Sequence, residues 1–421
     1  MEAISEGKGI TMKKPTLLAP AGNYEKMTAA VHYGADAVYL SGKTFGMRAA
    51  AGNFSEEELA DAVAFAHRNG AAVHVTVNVM PRGEEYEALG DYLSFLDSIR
   101  PDALIVADMG VIAMAKKKAP HLPLHLSTQA SVVSAEAANA YHEIGIKRIV
   151  LARELSLDEI ASIRAKTPSS LELETFIHGA MCVSYSGRCL LSNYLAGRDG
   201  NRGMCAQPCR WEYRMAYVEE KKRPGQFIPV GEDAFGTYVM SSRDLCMISH
   251  LGELCDAGID CFKIEGRMKS VYYVSAVTNA YRMALDAALS GRKEVDPAWL
   301  RELESVSHRE YSTGYYFGKP NETANLTDRI APLAEASFVA LALTDSDASG
   351  SALFEQKNKS VAGESVEWLS PGRTGLPFTV DGLTDEEGNE ISSTPHPQMK
   401  YYMKVPFPVK KGDVIRRCPL L

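Results

Sequence analysis

Five of the chain's eight cysteines, Cys182, Cys189, Cys205, Cys209 and Cys246, follow one another with six, fifteen, three and thirty-six residues between them. Cysteines kept only as small buried hydrophobes would scatter, so the crowding points to chemistry. Four thiolates hold a zinc ion or an iron–sulfur cluster. Structural zinc sites favour pairs about two to four residues apart, and only Cys205 and Cys209 fit that. Their three-residue gap also occurs in radical S-adenosylmethionine barrels, but the continuation Cys209-Arg-Trp-Glu lacks the third cysteine of such a motif. Spacing favours a cluster and leaves zinc and free thiols as alternatives.

The elements that must position these thiols are legible as alternation. From Thr16 to about Ser290, short apolar runs alternate with amphipathic stretches. The expected strands are Leu17–Ala19, Ala37–Leu40, Ala72–Asn78, Ala103–Val106, Leu124–Ser127, Arg148–Ala152, Leu171–Ile177 and Cys261–Ile264. Three are entered through one phrase, Gly34-Ala-Asp-Ala-Val-Tyr-Leu, Gly145-Ile-Lys-Arg-Ile-Val-Leu and Gly258-Ile-Asp-Cys-Phe-Lys-Ile, in which a glycine ends a helix before a buried strand. Ser55-Glu-Glu-Glu58 and Ser156-Leu-Asp-Glu159 read as capping boxes that start helices. Eight strand–helix units predict an α/β fold, a (β/α)8 TIM-type barrel, with an open doubly wound sheet as the alternative.

In such a barrel the reactive face lies at the carboxyl ends of the strands. The residues just after those strands include Asn78, Gln129, Arg153, His178, Glu265 and Arg267, with Lys263 inside the last strand, where pleat direction decides its side. The plainer explanation is that chains surface there and are polar anyway. Residues 178–260 form an insertion after the seventh strand, far longer than an ordinary βα loop, and carry the cysteines to the rim. A metal centre would hold such an insertion together. The expected division is an N-terminal extension over 1–15, the barrel over 16–320 and a small all-β barrel over 329–421. The last part is read from short β runs separated by Gly, Pro and Asp-Gly turns. The expected last barrel helix is Met268–Leu289, and Tyr311–Pro320 reads as a linker with aromatic anchors.

The totals set bounds. A 421-residue chain with 46% hydrophobic and 23% charged residues is ordinary for a globular protein of more than one unit. Its apolar runs are too short to cross a membrane, and the first fifteen residues carry no apolar core of a signal peptide. A cytoplasmic location is expected, where thiols stay reduced and clustered cysteines bind metals or catalyse. The net charge of −8 argues against indiscriminate nucleic-acid binding. Locally the sign reverses: residues 181–225 hold eight Arg and Lys against four Asp and Glu, a balance of +4. Near the C-terminus Lys400, Lys404, Lys410, Lys411, Arg416 and Arg417 oppose only Asp413. Two basic regions fit an RNA-facing side. Tyr185, Tyr194, Trp211 and Tyr213 lie in the first of them and read as stacking platforms for an unpaired base or as core.

The run Glu174-Thr-Phe-Ile-His-Gly-Ala-Met-Cys182 with Tyr-Ser-Gly-Arg-Cys189-Leu-Leu-Ser192 resembles the signature of the collagenase-like peptidase family U32. The resemblance extends through Leu18-Ala-Pro-Ala-Gly22, Ser127-Thr-Gln-Ala130, Arg153-Glu-Leu-Ser-Leu157, Ser242-Arg-Asp-Leu-Cys246 and Lys263-Ile-Glu-Gly-Arg267, covering roughly Pro15 to Tyr315 in order. Asn201-Arg-Gly-Met-Cys-Ala-Gln-Pro-Cys-Arg-Trp-Glu-Tyr213 and the short C-terminal part are most similar to the branch that hydroxylates tRNA. The resemblance implies a 4Fe-4S protein that supports oxygen-independent hydroxylation, linked to prephenate and to 5-hydroxyuridine at the wobble position. By motif position the implied ligands are Cys182, Cys189, Cys205 and Cys246, with Cys209 as an alternative; Cys255, Cys261 and Cys418 have no motif role.

Residue chemistry adds candidates beside that resemblance. A dicarboxylate needs fork-shaped cations, which Arg153, Arg267, Arg48 and Arg188 supply unless they are spent on Glu154 and Glu265. His178 and Glu265 are candidates for proton transfer, Asn78, Gln129 and Lys263 for substrate binding. Two other classes remain open. A peptidase is what the family name implies, though neither a Gly-x-Ser-x-Gly elbow nor His-Glu-x-x-His is present and only a cysteine paired with His178 would serve. A non-catalytic zinc-bound RNA-binding protein is the other.

Overall fold

The computed structural model describes residues 14–418 apart from 49–50, 183, 212–217, 220–226, 229–230, 234–235, 239–241, 293, 319–332 and 334–335. The expected N-terminal extension up to residue 13, the expected boundary at 320–329, and Tyr213 lie outside the described residues.

Eight parallel strands close into a barrel: β1 Thr16–Pro20, β2 Ala37–Leu40, β3 Ala72–Val77, β4 Ala103–Val106, β5 Leu124–Leu126, β6 Ile146–Val150, β7 Glu172–Ala180 and β8 Cys261–Ile264. Each pairs with the next, and β8 pairs both with β7 and with β1, which removes the open edge of the doubly wound alternative. Gly34, Gly145 and Gly258 adopt φ of +94°, +100° and +78°, the left-handed conformation that ends a helix and lets the chain turn into β2, β6 and β8. Ser55 and Ser156 close capping boxes with Glu58 and Glu159 at the starts of the second and sixth helices.

The apolar outer faces of the strands pack against the helices as one continuous core. The barrel interior differs. Leu18, Ala37, Tyr39, Ile105 and Cys261 form a separate small cluster there. Buried Glu174 accepts from Lys263 Nζ at 2.8 Å and from Arg148 at 3.4 Å, an ion chain inside the barrel.

The insertion is shorter than its sequence suggests. Its return leg Asp244–Cys246 pairs antiparallel with the end of β7, Asp244 facing Ala180 and Cys246 facing His178. Tyr311–Ser312, expected as linker, adds a parallel strand beside that leg. Tyr316 donates to the Phe176 carbonyl at 2.6 Å and so ties the linker to β7. The last barrel helix starts at Val271 with Ser270 as its cap, three residues later than expected.

The C-terminal part is a seven-stranded antiparallel sheet that includes two strands missed in the sequence, Leu376–Thr379 and Asp381–Thr384. These two are consecutive in the chain yet lie at opposite ends of the strand order, so the sheet curls into a half-barrel around Phe354, Trp368 and Tyr401. It docks on the (β/α)8 barrel through Arg416 Nη2 to Glu302 at 2.8 Å, Tyr33 Oη to the Leu369 carbonyl at 2.8 Å and His32 to Asp413 at 2.9 Å. Among the described residues no helix is long and apolar enough to cross a membrane.

Candidate active site at the cysteine-lined mouth

A cavity of about 210 Å³ opens at the carboxyl ends of the barrel strands. Its floor and walls come from the barrel: Tyr39, Thr76, Asn78, Gln129, Phe176, Lys263 and Arg267. Its mouth comes from the insertion, and Cys182, Cys189, Cys205 and Cys209 all line it. Chain segments 27 residues apart in sequence thus bring four thiols to one opening, as the crowding implied.

Lys263 does face inward. Its ammonium sits 4.5 Å from the centre of the Tyr39 ring and bonds Glu174. Burial opposes ionisation of Glu174, but Lys263 and Arg148 outweigh it and hold the carboxyl down at about 2. Glu265 follows the same logic: burial pushes it up, while Arg48, Arg153 and Arg267 bring it below the usual carboxylate range. Arg48 reaches it at 3.4 Å and the Tyr39 hydroxyl at 3.3 Å. Arg267 has neutral partners, Thr76 Oγ1 at 2.9 Å and Asn53 Oδ1 at 3.1 Å. Burial lowers its pKa to about 10.

Arg153 binds the cysteine segment rather than open space. It donates to the Ala180 carbonyl at 2.8 Å, to Ser186 Oγ at 2.6 Å and to Cys182 Sγ at 3.6 Å, with its guanidinium 4.7 Å from the Phe176 ring centre. The alternative ion pair with Glu154 does not appear among its hydrogen bonds, which go to the cysteine segment. Arg188 is exposed beside the mouth, donates to Ser131 Oγ at 3.4 Å and stays outside the cavity lining.

Two expected site residues turn away. His178 is buried outside the cavity, against Tyr273, Tyr281 and Tyr311, whose rings lie within 6.0 Å of its own. The cause is a register shift in the β8–β7 pairing: Lys263 faces Phe176, but the next residue, Ile264, faces His178. The alternation that points Glu174 and Phe176 inward breaks there. Burial lowers the His178 pKa to about 3, so the ring is neutral. It is not placed to exchange protons with a ligand in the cavity, nor to activate Cys182 as a nucleophile. Cys246, its cross-strand neighbour, is likewise absent from the lining and accepts from the Tyr281 hydroxyl at 3.7 Å.

Among the described residues no three cysteines bring their sulfurs within 4.8 Å of one another. Amide and guanidinium donors already face the sulfurs: Gln207 N lies 3.4 Å from Cys205 Sγ and Arg153 Nη2 lies 3.6 Å from Cys182 Sγ. His74, His125 and Glu174 are the one grouping with metal-ligand spacing among the described residues. The Glu174 charge is already matched by Lys263 and Arg148, so a cation there would meet two others.

The basic regions also sort themselves. Arg416, Arg417 and Lys410 are engaged by Glu302, Glu364 and Asp345, while Lys400, Lys404 and Lys411 are exposed. At the mouth Arg198 lines the cavity and is exposed, while Arg202 pairs with Glu85 at 2.8 Å. Tyr185, Tyr194 and Trp211 are 43%, 80% and 38% exposed there, so none of the three is core. Sequence reasoning missed Tyr39 and Thr76 as cavity residues; the available signal was a polar tip inside otherwise apolar strands.

These features define a family. The chain matches peptidase family U32 over residues 22–326 and the peptidase family U32 C-terminal domain over 334–416, and it belongs to that family. Among its relatives, tRNA hydroxylation protein P1 of Bacillus subtilis is 37% identical over 99% of this chain and 98% of its own length. tRNA hydroxylation protein P of Escherichia coli is 33% identical over 94% of each. The 23S rRNA 5-hydroxycytidine C2501 synthase of Escherichia coli is 39% identical over 71% of this chain and 45% of its own length.

Proposed function

We propose that this protein is an iron–sulfur-dependent enzyme, or enzyme subunit, that hydroxylates tRNA without molecular oxygen, forming 5-hydroxyuridine at the wobble position with prephenate as co-substrate. The observation that carries the reading is the ring of cysteines over a cation-rich cavity, in a chain whose near full-length relatives bear the name tRNA hydroxylation protein. Cys182, Cys189 and Cys205 hold the cluster. The arrangement favours Cys209 as the fourth ligand, because Cys246, the motif position, is turned toward Tyr281. A 4Fe-4S cluster supplies one-electron transfer when bound. Around it, Arg48, Arg267 and Lys263 present the positive charge a dicarboxylate needs, and the exposed Arg188, Arg198 and aromatic rim receive RNA. Tyr39 and Phe176 give the cavity apolar walls that exclude water from the reacting base.

Nucleoside mass spectrometry of tRNA from a deletion strain tests the reading. The expected result is loss of 5-hydroxyuridine derivatives, restored by the wild-type gene and not by Cys182→Ala. Unchanged modification in the deletion strain removes the functional proposal. Iron and sulfide content of anaerobically purified Cys209→Ser and Cys246→Ser protein decides the fourth ligand: the variant that loses the cluster carries it, and retention in Cys209→Ser refutes the assignment favoured by this arrangement. Proteolysis by an iron-free protein would instead restore the peptidase reading.

A further inference from the structure

Lys400-Tyr-Tyr-Met-Lys404 forms one strand of the C-terminal sheet, and its burial alternates residue by residue. Tyr401 and Met403 are fully buried in the half-barrel core, so Lys400, Tyr402 and Lys404 share the outer face. Both lysines are exposed, and the tyrosine between them is 39% exposed. At about 3.4 Å per residue the two lysine positions stand about 14 Å apart. Lysines on an edge strand commonly block pairing with another chain. This strand is internal, paired with Ser351–Gln356 on one side and Asp381–Thr384 on the other. Solubility alone would account for the lysines, but it gives no reason for an aromatic ring left open between them.

These two cations are also free. Lys410, Arg416 and Arg417 of the same domain are held by Asp345, Glu302 and Glu364. Neither Lys400 nor Lys404 forms an ion pair among the described residues. The acids opposite them in register are Glu355, which is bound to Lys357 Nζ at 2.7 Å, and Asp381. One end of the row leads to the cavity. Lys357 bridges from Glu355 to Glu25, at 2.8 Å, in the first turn of the first barrel helix, Tyr24–His32. The next residue, Lys26, donates at 3.5 Å to the carbonyl of Arg267, which lines the cavity. Lys400, opposite Glu355, is therefore the near end, and Lys404, opposite Ser351, the far end.

We propose that Lys400, Tyr402 and Lys404 form a second RNA contact, in which the lysines take phosphates of the strand leading away from the reacting nucleotide and the Tyr402 ring takes a nucleotide between them. The inference rests on the RNA-hydroxylation reading above. Phosphate contacts position an RNA without reading its sequence, and a ring face accepts any base.

The experiment measures binding of two RNAs to the cluster-containing full chain across a salt series: a stem-loop, and its loop sequence alone as a short oligonucleotide. Wild type is expected to bind both, the stem-loop with the steeper salt dependence. Lys400→Gln/Lys404→Gln is expected to reduce the stem-loop's slope of log K against log salt by about 1.4, the share of two lost phosphate contacts. The oligonucleotide, which reaches only the mouth, is expected to bind as before. Tyr402→Leu is expected to weaken stem-loop binding by about fivefold or more. Asp381→Asn removes the acid facing Lys404 and is expected to strengthen it, a gain that damage to the fold would not produce. Lys410→Gln removes an ammonium already held by Asp345 and is expected to change binding of neither RNA. Equal wild-type slopes for the two RNAs, or a stem-loop slope unchanged in the double variant, overturn the contact and leave the RNA reading standing. Equal losses in Lys410→Gln, or with the oligonucleotide, also overturn it, by reducing the effect to net charge or to the fold. Wild-type protein that binds neither RNA overturns both. Self-association lost in the double variant with RNA binding intact overturns it by assigning the face to a second copy of the chain.

Discussion

Replacing Arg153 by Met should release the cysteine segment from the barrel without unfolding the barrel. The guanidinium joins the end of β6 to the Ala180 carbonyl, to Ser186 Oγ and to Cys182 Sγ. A hydrogen bond from a charged donor is worth about 1.5–3 kcal/mol. The two oxygen contacts alone would give about 3–6 kcal/mol, and rehydration of acceptors at the cavity mouth returns roughly half. The remaining roughly 1.5–3 kcal/mol corresponds to about 10- to 150-fold more frequent opening of the segment. Hydrogen exchange reads this directly: amides at 184–210 should speed up by that factor while β3 and β4 keep their protection. Iron should leave the protein faster in proportion. Arg153→Lys, which keeps the charge but loses the fork, should fall between the two. An exchange change under about threefold at 184–210, or one spread evenly over the barrel, refutes the latch and returns Arg153 to the substrate-binding role its sequence position implied.

Two further outcomes follow from the buried charges. Glu174→Gln leaves Lys263, 5% exposed, with no compensating charge, so stability should fall by about 3–5 kcal/mol in denaturant unfolding. The double variant with Lys263→Met should regain part of the loss, and equal loss in the single and double variants would contradict the pairing. Histidines predict acid lability. His74 is lowered to about 4 and His178 to about 3 from an ordinary 6.5, both chiefly by burial, and His125 falls well below 6.5 for the same reason. Below pH 6.5 the unfolded chain therefore binds more protons than the folded one, and stability rises with pH across the window from about 4 to 6.5. With three such groups the slope approaches about 4 kcal/mol per pH unit. Glu174 adds to the loss below its ordinary 4.5, as pH falls toward about 2. Unfolding free energy that is flat between pH 7 and 5 would show that these histidines are charged or hydrated in the fold.

The barrel was legible because local signals repeat. Glycine before strand at Gly34, Gly145 and Gly258 and the capping boxes at Ser55 and Ser156 each act within a few residues, and eight repeats over-determine the fold. Asn78, Gln129, Lys263 and Arg267 were found because a barrel aims strand ends at one place. His178 faces away from the cavity because a one-residue register shift reverses the facing of a strand, and nothing in the Glu174-Thr-Phe-Ile-His run marks where it occurs. Half of the C-terminal basic run is paired, and its Arg416 looked free because its partner is remote in sequence; Glu302 lies 114 residues before it. Tyr311–Ser312 read as linker for the same reason, since its partner strand is the insertion's return leg.

The electrostatics of the cavity explain why cations stay there at all. Arg48, Arg153, Arg198, Lys263 and Arg267 line it against Glu265 alone, with Glu174 beneath matching Lys263. A guanidinium inside a protein normally has its charge met, as Arg148 and Arg416 do through Glu172 and Glu302. Arg267 has only neutral oxygens and loses basicity to burial, with Arg48 nearby adding to that loss. Such an arrangement costs stability when empty and recovers it when an anion enters, so the binding free energy of an anionic ligand is partly stored in the fold beforehand. The barrel supplies that charge and the insertion supplies the sulfur, so an anion drawn into the cavity arrives beside the cysteines.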